Sequence, residues 1–158
     1  MAGPTELSNL EKDRYSVTFT LSNELASAGW DNVSVDMVRD RWPDREEINP
    51  PSVWVLMDIN RTAPWELGTH GKEREVFIHI YATNDSERDR LAETICDIVR
   101  DIIPIYDWVT GNETNPAIVQ YFNTEGDVEF RPIRAITTAP KEEQWRAVVQ
   151  ATLSRQDA

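Results

Sequence analysis

Few stretches of this sequence carry residue types at a spacing that could support a known chemistry. GTHGKE at residues 68–73 places two glycines and a lysine much as a phosphate-binding loop does, because glycines let backbone amides approach a phosphate. Such a loop also needs glycine at position 66 and Ser or Thr at position 73, where Glu66 and Glu73 stand instead. We therefore predict an ordinary glycine-containing hairpin loop.

The acidic run Asp85, Glu87 and Asp89 has the alternating carboxylates of a calcium loop. Its sixth position is Arg90 instead of glycine, and its twelfth is Cys96 instead of glutamate, so the match fails at two defining places. We interpret the run as the start of a helix, where the helix dipole favours acidic side chains.

The two histidines, His70 and His79, have neither HExxH spacing nor a cysteine partner, so no metal site is predicted. We interpret His79 as a polar side chain on a partly covered sheet face, and Cys96 as a small buried side chain. The sequence assigns no catalytic pair among its many carboxylates. We expect no catalytic residue and no cofactor; a small hydrolase that uses clustered acids is a remote alternative.

Composition indicates one globular domain. The chain has 158 residues, of which 40% are hydrophobic and 28% charged, and a single cysteine excludes an intramolecular disulfide framework. We expect a flexible leader at residues 1–9 and one domain over residues 10–158. Sixteen basic residues against 28 acidic ones give a net charge of −12, which disfavours nonspecific binding to nucleic acid. No apolar run is long enough for a membrane span, so we expect a protein of the cytoplasm or one assembled there.

Apolar spacing predicts two helices and five strands. The helices are expected at residues 10–28 and from the cap candidates at 84–86 to Pro104, and the strands near residues 33–38, 52–59, 75–82, 128–138 and 144–154. The strand at 52–59 is apolar on both faces, which predicts cover on both sides, and it is expected to pair with the strand at 75–82 as a long hairpin. Long connections are expected at residues 60–74 and 107–126. Together these elements predict an α+β sandwich with helices packed on a mainly antiparallel sheet.

Six tryptophans are many for a chain of this length, and Trp42, Trp65 and Trp108 fall in or beside predicted loops. They could serve the core and anchor loops. They could equally contact neighbouring subunits, because tryptophan is enriched at the centres of interfaces.

EREVFIHIYATNDSERDRLAETI at residues 73–95, preceded by PSVWVLMDI at residues 51–59, resembles the tail terminator (tail completion) proteins of long-tailed bacteriophages. In that family a strand opening on proline leads into a protruding hairpin, a second strand, a short polar turn and an amphipathic helix. The resemblance covers residues 50–105 well and the rest as topology. It implies a tail-terminator-like sandwich.

The resemblance also implies a function in the virion neck. The family forms a ring, expected here to be a homohexamer, that caps the tail tube, stops its growth and joins it to the head-side connector or stopper protein. Genomic DNA would be only passing cargo, and acidic side chains on the channel wall would keep its phosphates from sticking. No membrane partner is implied. The alternative is a head-closure or head–tail connector adaptor of the same neck, which would share the size, acidity and oligomeric habit.

We expect the connection at residues 60–74 to contribute to ring or tube contacts, with Trp108 as a further contact residue. Edges of a small sheet are templates for pairing, and a closed ring hides them. The interface residues predicted on this basis are Trp65, Glu66, His70, Lys72, Glu73, Arg74 and Trp108.

Overall fold

The computed structural model describes residues 9–38, 42–43, 47–57, 73–106, 108, 117–133 and 145–155. In chain order they form α1 (Asn9–Ser27), β1 (Ser34–Met37), β2 (Ser52–Met57), β3 (Glu73–Ala82), α2 (Asp85–Arg100), β4 (Ile103–Tyr106), β5 (Ile118–Ile133) and β6 (Trp145–Arg155). The six strands make one sheet in the order β1-β2-β3-β6-β5-β4. Of the predicted leader only Asn9 is described, and it is already helical.

The sheet is mixed, where a mainly antiparallel one was predicted. Strand β1 pairs with β2 in parallel, and the other four neighbouring pairs are antiparallel. Two consecutive parallel strands need a crossover connection, and here it falls between residues 37 and 52. Within it Val38 and Ile48 pack with Trp54 and Tyr81 in a small second core. The α+β class itself is confirmed.

Helix α1 forms as predicted because Val17, Leu21 and Leu25 recur every four residues and bury one stripe. Helix α2 is capped by Asn84, one of the predicted cap candidates, whose side-chain oxygen accepts a hydrogen bond from the backbone N–H of Glu87 at 2.8 Å. It ends at Arg100 instead of reaching Pro104. Neither helix in the described part of the chain has an apolar stretch that would cross a bilayer.

Both helices lie on one face of the sheet and enclose the main core. Helix α2 packs on β3, β5 and β6, whereas α1 contacts β1, β2 and β4. Strands β1 and β4 are the two outer strands of the sheet. Since α1 contacts both of them, the sheet must be curled around this helix. The strands contribute these buried side chains to the main core: Val53, Val55, Met57, Val76, Ile78, Ile80, Ile103, Ile105, Phe122, Val128, Ala147, Val149, Ala151 and Leu153.

Strands β2 and β3 form the predicted antiparallel pair, with Met57 opposite Val76. The connection between them lies outside the described residues. As predicted, β2 is covered on both sides: five of its six residues are buried, and only Leu56 is half-buried. Strand β6 also occupies the range predicted for the last strand, and its alternate residues Ala147, Val149 and Leu153 are buried.

Strands β4 and β5 differ from the prediction. Residues 103 and 104, expected to end a helix, instead open β4, and residues 118–126 belong to β5 although a connection was predicted there. Gly126, the last residue of the predicted connection, lies within β5 with φ of 70°, where the register with β6 shifts. A glycine in this left-handed conformation fits a β-bulge as well as a loop.

Candidate interaction surface

The predicted interface residues fall into three groups. Trp65, Glu66, His70 and Lys72 lie outside the described residues. The backbone of Glu73 opens β3 opposite Ser154 of β6. Arg74 and Trp108 are buried, and each contacts α1.

Arg74 ties the start of β3 to α1. Its Nε donates to Oδ2 of Asp13 at 2.8 Å, and the Asp13 side chain is fully buried while that of Arg74 is 6% exposed. A charge taken out of water must be paired, because an isolated buried ion costs several kcal/mol. The pair therefore fixes the place where the predicted 60–74 connection returns to the sheet.

Trp108 fixes the segment after β4 on the same helix. The Ser16 hydroxyl donates to the carbonyl of Lys12 at 2.7 Å, and it accepts from the backbone N–H of Tyr106 at 2.9 Å and from Nε1 of Trp108 at 3.0 Å. The Trp108 ring also packs edge-on against Phe19, with centroids 5.2 Å apart. This arrangement matches the loop-anchoring interpretation of the tryptophan.

Because both side chains are almost wholly covered by their own chain, they offer a neighbour little surface. Their assignment to a subunit interface stays a prediction. A group of exposed apolar side chains, none of them among the predicted interface residues, lies instead at β4 and β5.

Exposed apolar side chains gather where β4 pairs with β5. In the register Pro104 lies opposite Tyr121 and Tyr106 opposite Ile118, and the shift between Ile105 and Tyr106 adds an extra residue on β5. Four large hydrophobic side chains at this border are between 40% and 58% exposed. We call the following group, which includes those four, the β4–β5 patch: Ile102, Pro104, Tyr106, Ile118, Val119 and Tyr121.

A cleft of about 160 Å³ opens beside this patch, between α1, the end of α2 and β4. Sites for drug-sized ligands usually enclose roughly 300–1,000 Å³, so this cleft suits a single side chain better than a free ligand. Its lining is Thr20, Asn23, Glu24, Ile98, Asp101, Ile102, Pro104 and Tyr106. We call it the α1–β4 cleft.

The pKa of Tyr106 reflects the electrostatic environment of the α1–β4 cleft. Burial raises the pKa of Tyr106 above its ordinary value, and the neighbouring Tyr121 and Glu24 raise the same pKa further. On the α1 side the buried hydroxyl Oγ1 of Thr20 has no hydrogen-bond partner within the described part of the protein.

Burial shifts the pKa values of the two side chains with the most reactive chemistry, His79 and Cys96. Burial, followed by the charge of Arg146, lowers the pKa of His79 to about 4, so this imidazole is neutral near pH 7. It lies half-buried on the sheet face, as predicted, with the Trp42 ring edge-on to it at 4.5 Å. Cys96 lies in the core, also as predicted, and burial raises the pKa of its thiol. Among the described residues no three His, Cys, Asp or Glu side chains gather as a metal-ligand set.

No protein-family model matches the chain. A search of curated proteins likewise finds no significant match.

The patch was missed because its β5 part was assigned to a connection. The sequence Ile118–Phe122, IVQYF, does carry a signal, since it is rich in β-branched and aromatic residues typical of strands. This signal was not used, because residues 107–126 were predicted to form one connection. What the sequence could not indicate is that these apolar side chains stay exposed.

Proposed function

We propose that this chain is a structural virion protein of the bacteriophage neck, a ring-forming tail terminator with a tail-terminator-like sandwich fold. It caps the tail tube and joins it to the head-side connector. In this proposal the work is done by protein–protein contact, with copies of the chain as the first partners and the tube and connector proteins as the next.

The observation that carries the proposal is the β4–β5 patch. Contiguous exposed apolar surface marks a site of protein contact, since a monomer gains nothing by presenting it to water. The patch also borders β4, an outer strand of the described sheet, where a further chain can add contacts along the backbone. A surface of this kind repeated around an axis favours a closed ring, because closure leaves no copy with an uncovered patch.

The arrangement of β2, β3 and α2 gives further support. These elements follow one another in the order that the resemblance implies: a strand, a returning strand, a polar turn at Thr83–Asn84 and an amphipathic helix. Because β2 and β3 are antiparallel, residues 57 and 73 lie at the same end of the sheet, as a protruding hairpin requires. A net charge of −12 suits a channel that DNA must pass without binding.

The decisive experiment is electron microscopy of tails made without this protein. Loss of a terminator gives tubes of uncontrolled, excessive length, because nothing stops their growth. Loss of a connector adaptor would instead give finished tails of normal length unattached to filled heads. Normal particles, or a location of the chain elsewhere in the virion, would reject both neck functions.

The patch is tested by a double variant, Val119→Ser with Tyr121→Ser, supplied in place of the natural chain. Both side chains are exposed, so the monomer should fold normally while ring closure and tail-length control are lost. Phe130→Ser is the matched control, because Phe130 is an exposed aromatic residue on β5 outside the patch. Tails of uniform natural length from the double variant would show that the patch does not serve assembly.

A further inference from the structure

The last five residues of β5 form an open edge of the sheet. Strand β4 pairs with β5 only over residues 118–122. Residues 129–133 therefore have β6 on one side and, within the described part of the chain, no strand on the other. All of them except the half-buried Ile133 are exposed. An exposed edge of this kind offers backbone N–H and C=O groups to a further strand. We call residues 129–133 the β5 edge.

The β5 edge carries opposite charges at alternate positions. Glu129 and Arg131 are two residues apart and so lie on the same face of the strand, where Nη2 of Arg131 donates to Oε2 of Glu129 at 3.1 Å. Phe130 lies between them on the other face and is 38% exposed. Charges protect an edge from pairing when a partner would bring like charges against them. An edge with both signs is instead open to a strand that presents them in the reverse order.

An antiparallel copy of the same strand presents that reverse order. With a two-fold axis at Phe130, Glu129 of each copy lies opposite Arg131 of the other, with Cβ atoms about 4.5–5.5 Å apart. The four charges then alternate in sign around a square, and like charges meet only across its diagonals. Moving the axis to Glu129 or to Arg131 would place like charges directly opposite each other, and an in-register parallel copy would do the same. The charges therefore specify both the direction and the register of the pairing.

Pro132 is compatible with this pairing and limits its length. Proline has no N–H, and within sheets it is found where the missing donor faces the open side of an edge strand. The backbone groups of Phe130, two residues away, then face the same side, so two copies can exchange N–H···O=C bonds at Phe130. Pro132 supplies no donor beyond them, which ends the ladder after a few residues.

We infer that two copies of this protein pair through the β5 edge as antiparallel strands related by a two-fold axis at Phe130. The contact goes beyond the proposed function, because a two-fold contact closes on two copies and builds no ring. It also uses a different part of β5, since the β4–β5 patch precedes the bulge at Gly126 and the β5 edge follows it. A contact of so few residues belongs to the small, transient class of interfaces.

The first test exchanges the charges and follows self-association of the full-length protein by sedimentation equilibrium. Val119→Ser with Tyr121→Ser serves as the background, so that the β4–β5 patch adds no association of its own. Glu129→Arg alone or Arg131→Glu alone brings like charges together at both positions, so each should weaken pairing about tenfold, or about 1.4 kcal/mol. Both changes in one chain restore the alternation and should restore pairing. An equimolar mixture of the two single variants should form mixed dimers, because one edge is then wholly positive and the other wholly negative.

A second exposed ion pair gives the matched control. Asp97 and Arg100 lie 3.4 Å apart on the surface of α2. Asp97→Arg and Arg100→Glu make the same changes in net charge as the two edge variants, away from the β5 edge, and should leave pairing unchanged.

A cysteine at the proposed axis tests the register. Phe130→Cys places the thiol opposite its own copy, with Cα atoms about 5.5 Å apart, which a disulfide can span. Asp127→Cys is the control, because copies of position 127 would lie six residues apart along the pair, roughly 20 Å. The natural Cys96 is buried. Mild oxidation should give covalent dimers of the first variant and not of the second.

Three results would overturn the inference. The first is a background protein that stays monomeric at millimolar concentration. The second is pairing that the single charge changes leave intact or that the double exchange does not restore. The third is equal crosslinking of the two cysteine variants. The terminator function is tested separately by tail length, since the β5 edge takes no part in ring closure.

Discussion

The two halves of α1 differ in whether the buried polar side chains Ser16 and Thr20 find hydrogen-bond partners in the described chain. In the first half the polar side chains of Asp13 and Ser16 are fully buried, and each is bonded to a distant segment. In the second half Thr20 keeps a buried hydroxyl without a partner in the described chain, and Glu24 faces the open α1–β4 cleft. Asp13 and Ser16 are thus bonded within the monomer, whereas the Thr20 hydroxyl has unused bonding capacity among the described residues.

The contrast teaches how stability is distributed in this protein. Buried polar groups are tolerated when they are paired, so the first half can hold β3 and the segment after β4 in place. The second half carries the cost of the unsatisfied Thr20 hydroxyl. Substitutions in the two halves should therefore change the stability of the monomer differently.

The largest effect is expected at the buried ion pair. Arg74→Met removes the cation whose Nε lies 2.8 Å from the buried Asp13 carboxylate, so the free energy of unfolding should fall by about 3–5 kcal/mol. Urea denaturation at pH 7 measures the change. Arg131→Met is the control, because the Arg131–Glu129 pair is exposed and should be worth less than about 1 kcal/mol. Equal losses in the two variants would mean that the pair does not anchor β3.

The next effect compares two adjacent isoleucines at the border between core and patch. Ile103 is 1% exposed and Ile102 is 52% exposed. Ile103→Ala should lower the free energy of unfolding by about 3 kcal/mol through a cavity in the core, and Ile102→Ala by less than about 0.5 kcal/mol. Thermal and urea unfolding of the purified monomers distinguish them. A large loss for Ile102→Ala would show that this side chain serves the monomer, contrary to its place in the β4–β5 patch.

A smaller loss is expected at Ser16. Ser16→Ala removes the acceptor of the Tyr106 N–H and of the Trp108 indole, so the free energy of unfolding should fall by about 2 kcal/mol. Thr94→Ala deletes another helix hydroxyl, which donates to the carbonyl of Arg90 on the exposed surface, and should change stability by less than about 0.5 kcal/mol. Unfolding should be followed by tryptophan fluorescence. If the two variants lose the same amount, the Ser16 contacts are not structural.

Part of this contrast can be predicted from sequence, because periodicity reports on burial. The spacing of Leu10, Tyr15, Phe19 and Leu25 predicts α1, although the stripe that the structure buries is Val17, Leu21 and Leu25. The two apolar faces of residues 52–59 predict the doubly covered β2. Strand β4 was not predicted, because four residues are too few to show the alternation of apolar and polar side chains that marks a strand. The parallel β1–β2 pair escaped because strand direction depends on the path of the crossover rather than on either strand.

The long-range contacts of Asp13 and Ser16 on α1 could not be predicted from the sequence. Asp13 and Arg74 are 61 positions apart, and Ser16 and Trp108 are 92 apart, so no local spacing marks them as partners. Composition also cannot distinguish an arginine that pairs inside the monomer from one that contacts a neighbour, which is why Arg74 was assigned to an interface. Strand pattern could have located residues 118–122, but exposure of that pattern depends on what the rest of the chain leaves uncovered.

The smallest effect, and the one with the opposite sign, is expected at Thr20. Thr20→Val replaces the unpartnered hydroxyl by a methyl group of similar size, so the monomer should become more stable by up to about 1 kcal/mol. Urea denaturation measures the change. A loss of stability would mean that the Thr20 hydroxyl is satisfied within the monomer, and the contrast between the two halves of α1 would disappear.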